Sequence, residues 1–253
     1  MEFFKRILGF DEKTLAREEQ RLSQRFTISP LAPLSARLQV SGIDYPVTLR
    51  DLSTLGAGIH VDYFIDLHQG LNCQISLQAE SVAFSLNANV AHIISASSGS
   101  IAGLDLTDNE YDVRRCLVQL LEPISMGATL KRVDPEAVSQ TESDLIALRY
   151  YSSQSSTLTV WRRTSDDSIN GFEIHIQDYF IRSTAQAPEI KVYMDESHAQ
   201  AKSADFGSLT LRQNDEETQE LLRLSNWIAL HLPPQIPDDL SDFLQKYRTD
   251  FGT

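Results

Sequence analysis

Residues 36 to 106 hold six short runs of strand character with no helix-length repeat between them. The runs are 36–40, 45–50, 57–61, 72–79, 81–95 and 100–106. Turn signals separate them at Ser41-Gly42, Leu55-Gly56, Gln69-Gly70 and Ser98-Gly99. Consecutive strands without crossover helices exclude a parallel α/β sheet. They point to an antiparallel barrel or sandwich. A helix is expected next, over 109–121, with Val113, Cys116, Leu117 and Leu120 on one face and Arg114 and Arg115 off it. Before the runs, Pro30 and Pro33 break any helix, and residues 11–25 read as a polar helix or an extended arm.

Segment 123–142 is poor in apolar residues and reads as a boundary. A second block follows it, with strands expected over 144–151, 157–163, 171–182, 189–194 and 208–212. Alternation is clear in Leu158/Val160 and in Phe172/Ile174/Ile176. The strongest helical pattern covers 216–232. Asn214 or Asp215 is placed to cap it, Leu221, Leu224, Trp227, Ile228 and His231 form its stripe, and Pro233-Pro234 stop it. A short helix is expected over 238–247. A chain of 253 residues accommodates two compact domains. The expected architecture is mainly β, or α+β. An N-terminal six-stranded antiparallel barrel with a closing helix precedes an antiparallel meander with a packed helix. The expected divisions are 1–20 as a helix or flexible arm, 21–122 as the barrel, and 143–253 as an α+β output or interaction domain.

The net charge of −13 repels nucleic acid and anionic lipid on average. One stretch departs from it. Between Lys13 and Arg50 lie Lys13, Arg17, Arg21, Arg25, Arg37 and Arg50 against only Glu18, Glu19 and Asp44. That patch is too small for duplex DNA and large enough for a ligand with one or two phosphates. No run reaches the ~20 apolar residues of a membrane span. The first ten residues, with Phe3, Phe4, Ile7 and Leu8 at helical spacing, suit a docked or partner-binding helix rather than a signal peptide. Cys73 and Cys116 stand far apart in apolar runs and read as reduced, buried thiols of a cytoplasmic protein. No metal-ligand spacing is present.

Two segments carry chemistry: Arg21-Leu22-Ser23-Gln24-Arg25-Phe26, and Asp51-Leu52-Ser53-Thr54-Leu55-Gly56. Two arginines four apart present two permanently charged forks, suited to bidentate contact with phosphate or with the O6/N7 edge of guanine. Asp51 and Ser53 offer acceptors and a donor for base edges. Gly56 suits a tight turn or a close backbone approach. Leu52 and Leu55 are expected to face the core. Together these groups suit a ligand that is both anionic and purine-like.

Over roughly residues 15–122 the chain resembles the PilZ domain family, whose pattern is an Arg-x-x-x-Arg arm followed by Asp/Asn-x-Ser-x-x-Gly on the barrel. Phe26 after Arg25, and Gly103-Leu104-Asp105-Leu106 before the closing helix, also suit the family. The resemblance implies a barrel that binds cyclic di-GMP at its mouth, with no cofactor or metal. Carried over by position, it implies that Arg21 and Arg25 clamp phosphates and guanine while Asp51, Ser53 and Gly56 shape the opposing wall. Arg17, Gln20 and Gly58 are further candidate contacts. Arg17 lies four before Arg21, so the arm also reads one turn earlier; adjacency to Phe26 favours the later register. Gln20 stands just before Arg21, where many members carry a basic or apolar residue. This leaves open whether one ligand or an intercalated pair binds.

The resemblance therefore implies a receptor that rearranges its arm and domains on binding and regulates a partner through the C-terminal domain or the N-terminal helix. Motility, biofilm or virulence is the expected output by family analogy. The alternative is a PilZ-like adaptor that binds no nucleotide. Its arginines would be a solvated arm paired with Glu18, Glu19 or Asp51, and Asp51 and Ser53 would be ordinary turn caps. Monomer and homodimer are both open. The six histidines are scattered, and Glu173, His175 and Asp178 lack a recognisable catalytic order, so the reading is a binder rather than an enzyme. Trp161 and Trp227 are expected in the core.

Overall fold

The computed structural model describes residues 12–61, 65–80, 82–138, 143–153, 156–185, 189–195, 209–211 and 216–245. The expected N-terminal helix with Phe3 and Phe4, and the caps Asn214 and Asp215, lie outside the described residues. The chain divides into two compact units, 1–124 and 125–253.

In the first unit, helix α1 (Glu12–Arg21) leads to β1 (Phe26–Thr27), β2 (Leu34–Val40), β3 (Ile43–Leu52), β4 (Gly56–Val61), β5 (Asn72–Ala79), β6 (Val82–Ala96) and β7 (Gly99–Asp105). Helix α2 (Tyr111–Ala128) follows and runs past the division after residue 124. The strands run in the order β1-β3-β2-β5-β6-β7-β4, and the β3–β4 pairing closes six of them into an antiparallel barrel. The sequence dictates the inside by alternation. Ala36, Leu38 and Val40 of β2, Ala57, Ile59 and Val61 of β4, and Ile75, Leu77 and Ala79 of β5 are all buried. Leu15 and Leu22 bury one side of α1 and its exit, and Leu117, Leu120 and Leu121 bury one side of α2.

Three local expectations change here. Leu52 is fully buried, but Leu55 is 53% exposed, because the turn between β3 and β4 carries it outward. Helix α2 does not stop before Pro123. It continues to Ala128 with Pro123 inside it. Proline removes one helical hydrogen bond, yet Leu121, Ile124 and Met126 are buried on either side and hold the helix together. Residues 123–128 are therefore packed helix rather than linker.

The second unit holds β8 (Lys131–Arg132), β9 (Leu145–Tyr151), β10 (Thr157–Arg163), β11 (Ile169–Ile176), β12 (Tyr179–Thr184), β13 (Lys191–Asp195) and β14 (Leu209–Leu211), then α3 (Glu216–Leu230) and α4 (Asp238–Gln245). These strands form an antiparallel meander in reverse chain order. Leu158, Val160, Phe172, Ile174, Ile181 and Val192 bury one face, and Leu221, Leu224, Trp227, Leu240 and Leu244 of the helices are buried with them. Phe172 meets Phe243 of α4 edge-on, with centroids 6.2 Å apart. Arg162 is 6% exposed and makes a two-pronged ion pair with Asp239 at 2.6 and 2.9 Å. The single strand expected over 171–182 is a hairpin. Its turn holds Gln177 at φ 53°, a conformation no glycine announced. Trp227 is core, as expected. Trp161 is only partly buried and lies beneath the Arg182 guanidinium at 5.8 Å.

Candidate functional site

The two informative segments meet because β1 pairs with β3. Phe26 lies opposite Leu52 and Thr27 opposite Asp51, so Arg25 reaches the strand end beside Asp51. An ion pair joins the Arg25 guanidinium to the Asp51 carboxylate. Arg25 also presses against Gly56. A Cβ there would stand 2.9 Å from an Arg25 terminal nitrogen and 2.6 Å from the Leu104 carbonyl oxygen. Glycine is required by that close approach.

Ser53 is 2% exposed and builds the turn. Its Oγ accepts from the Gly56 N–H at 3.1 Å and the Leu55 N–H at 3.3 Å. Thr54 ties the turn to the end of α1. Its N–H donates to the Leu22 carbonyl at 3.0 Å and its hydroxyl to the Glu19 carbonyl at 2.7 Å. These bonds satisfy carbonyls that a helix C-terminus leaves open. The arm and the turn are thus one hydrogen-bonded piece.

Asp51 points outward because of a bulge. Pairing between β3 and β4 runs from Leu49–Ile59 to Asp51–Gly58, which leaves Arg50 as the extra residue. Were Arg50 paired in register instead of bulged, alternation from buried Leu49 would turn Asp51 inward. The carboxylate folds down over Gly58, where a Cβ would collide with it. A second bulge lies between Val90 and His92 on β6, and the His92 ring folds over Gly103 in the same manner.

Residues 17–122 match the family model described as PilZ domain. This part of the chain is a PilZ domain. No curated protein matches the chain. Among solved structures, one similar to it is the PilZ domain with c-di-GMP of YcgR from Escherichia coli. It is 17% identical and covers 39% of this chain and 86% of its own, with a TM-score of 0.33. The PilZ domain of CeSA from a cellulose-synthesizing bacterium is 14% identical over 40% and 96%, with a TM-score of 0.33. The Borreliella burgdorferi PlzA protein in complex with c-di-GMP is 12% identical over 83% and 99%, with a TM-score of 0.31.

Within the PilZ domain, Arg25, Asp51, Gly56 and Gly58 stand together, and Arg21 is engaged elsewhere. Its guanidinium pairs with Glu18 one turn back and with Glu122 of α2 at 2.6 Å. Both carboxylates are buried, at 6% and 2% exposure. Arg17 rests on Glu18 at 2.9 Å with most of its side chain in solvent, and Gln20 is exposed on α1. Glu122 escaped the sequence reading because it lies 101 positions from its partner. Arg114, read as solvated, pairs with Glu19 at 3.0 Å. Among the described residues no group of three or more metal-binding side chains is present. No described helix is long and apolar enough to cross a membrane. Neither cysteine forms a disulfide, and burial pushes the Cys73 thiol up to about 11.

Proposed function

We propose that the PilZ domain of this chain is a receptor for cyclic di-GMP and not an enzyme. The observation that carries this reading is the meeting of Arg25, Asp51 and Gly56 on one hydrogen-bonded arm and turn. Arg25 supplies a half-exposed fork for a phosphate or a guanine edge, and Asp51 holds that fork and offers an acceptor to a base N–H. Ser53 acts through the turn it braces. Arg21 adds a second fork once a ligand phosphate competes with Glu18 and Glu122 for it. That competition gives binding a route to α2, since drawing Arg21 away removes a cation from beside buried Glu122. A change in the arm and between the domains, read by a protein partner, is the proposed output. Arg17, Gln20 and Gly58 border this site.

A second reading has its own observation. Arg21 already has two carboxylate partners, which suits an adaptor that binds no nucleotide. Calorimetric titration with cyclic di-GMP separates the two. The parent should bind, and Arg25→Ala should abolish or weaken binding at least tenfold. Unchanged binding in both Arg21→Ala and Arg25→Ala would sink the receptor reading.

A further inference from the structure

One outward row of the barrel crosses four strands: Asp51 on β3, Gly58 on β4, Gly103 on β7 and His92 on β6. Directly paired residues share a face, so both side chains and both glycines face outward, and the glycines are covered by the Asp51 carboxylate and the His92 ring. The two ends sit three strand spacings apart, about 14 Å at about 4.8 Å each.

The ends are built alike. Along β6, Leu86, Ala88 and Val90 alternate inward and are buried. Unbroken alternation would bury His92 as well. The bulge inserts Ala91, and His92 emerges exposed. Asp51 is turned out by Arg50 in the same way. Bulges are over-represented beside functional sites because they re-aim a side chain. Here two bulges re-aim an acid and an imidazole onto one row.

The glycines make room for both tips. A Cβ on Gly58 would strike the Asp51 carboxylate, and one on Gly103 would stand 2.6 and 2.7 Å from the His92 Nδ1 and Nε2. The ring's Cε1, nearer still, therefore lies over Gly103 with a nitrogen on either side of it. The neighbouring outward row pairs Gly56 with Asp105 and Asp105 with Asn89. It opens into a polar recess of about 290 Å³ lined by Asn72, Asn87, Asn89 and Asp105 among others. Polar surface thus runs from Arg25 across β4 and β7 onto β6.

We propose that the ligand spans this row, and that His92 donates a ring N–H to an acceptor on its distal guanine. A neutral or charged imidazole carries at least one such donor, and guanine O6 and N7 are acceptors. The inference rests on the cyclic di-GMP reading of the same site. Calorimetric titration of cyclic di-GMP into the parent, His92→Ala and His92→Gln tests it, with thermal melts alongside. His92→Ala should weaken binding about fivefold, the worth of one hydrogen bond. His92→Gln, which keeps a donor, should recover most of that loss, and all three melts should coincide because His92 is exposed. Parent-like binding by His92→Ala would overturn the inference and leave the receptor reading standing. Equal loss in both variants would overturn the hydrogen-bond role. A parent that does not bind at all would overturn the receptor reading and this one with it.

Discussion

Arg21 and Arg25 look equivalent in the sequence, and the structure separates them sharply. Arg21 has 25% of its side chain exposed and pairs with Glu122 at 3% and Glu18 at 8%. Replacing Arg21 by alanine leaves two buried carboxylates without that cation. Removing one partner of a buried pair costs about 3 kcal/mol. For a unit of this size each kcal/mol lowers the melting temperature by about 4 °C, so Arg21→Ala should melt about 12 °C below the parent. Arg25 and Asp51 are 46% and 32% exposed. An exposed pair contributes about 0.5 kcal/mol, and Arg25→Ala should melt within about 2 °C of the parent. Thermal melts followed by circular dichroism, without ligand and at low and high salt, measure both. Salt should erase the small Arg25 effect and leave most of the Arg21 effect. The double variant Arg21→Ala/Glu122→Gln should recover at least about 1 kcal/mol of what Arg21→Ala loses, since one stranded charge is gone. Equal melts for the two arginine variants, or no recovery in the double variant, would refute the reasoning.

Three further outcomes follow from geometry. Gly171→Ala places a Cβ 2.5 Å from the Ser183 carbonyl oxygen and should cost about 1–3 kcal/mol, whereas Gly103→Ala first meets the exposed His92 ring, which can swing away, and should cost less; urea unfolding of both orders them. Burial holds the His231 imidazole below 6.5 while its Nδ1 bonds to the Trp227 carbonyl at 2.8 Å. The unfolded chain then takes up a proton that the folded one refuses, so stability falls as pH drops from about 6.5 toward the depressed folded value. Melts from pH 7.5 to 5.5 should show the parent losing more than His231→Gln, and parallel curves would rule this out. With its thiol raised to about 11, Cys73 should resist iodoacetamide at pH 7.5 in the folded protein and react readily in urea, as read by peptide mass spectrometry.

The barrel was legible because its strands alternate and most of its turns are marked by glycine. Four of those turns and all six strands sit within a few residues of the positions expected. The meander was less so. The Gln177 turn, like the Glu80 turn of the barrel, uses a positive φ without glycine, and here its two strands read as one. Pro123 misled for the opposite reason: a local breaker was outweighed by burial on both sides. At the site, Arg25, Asp51 and Gly56 were visible as short-range motifs. Glu122 was not, because its contact with Arg21 is a product of the tertiary fold. Nor was the position of His92, because a bulge leaves no residue signature. Alternation alone assigns His92 and Asp51 to the interior.

The two bulges carry a consequence for how such a surface tolerates change. Arg50 and Ala91 matter by being counted, since each adds one step to its strand. Their identities are close to arbitrary, and many substitutions at either place should pass unnoticed. Deleting either residue should restore one-to-one pairing and leave Asp51 or His92 facing outward, whereas drawing the extra residue into the ladder would exchange inside for outside along the rest of its strand, driving a carboxylate or an imidazole into the core. The face is thus written in the register of the strands and not in the residues that bulge from them.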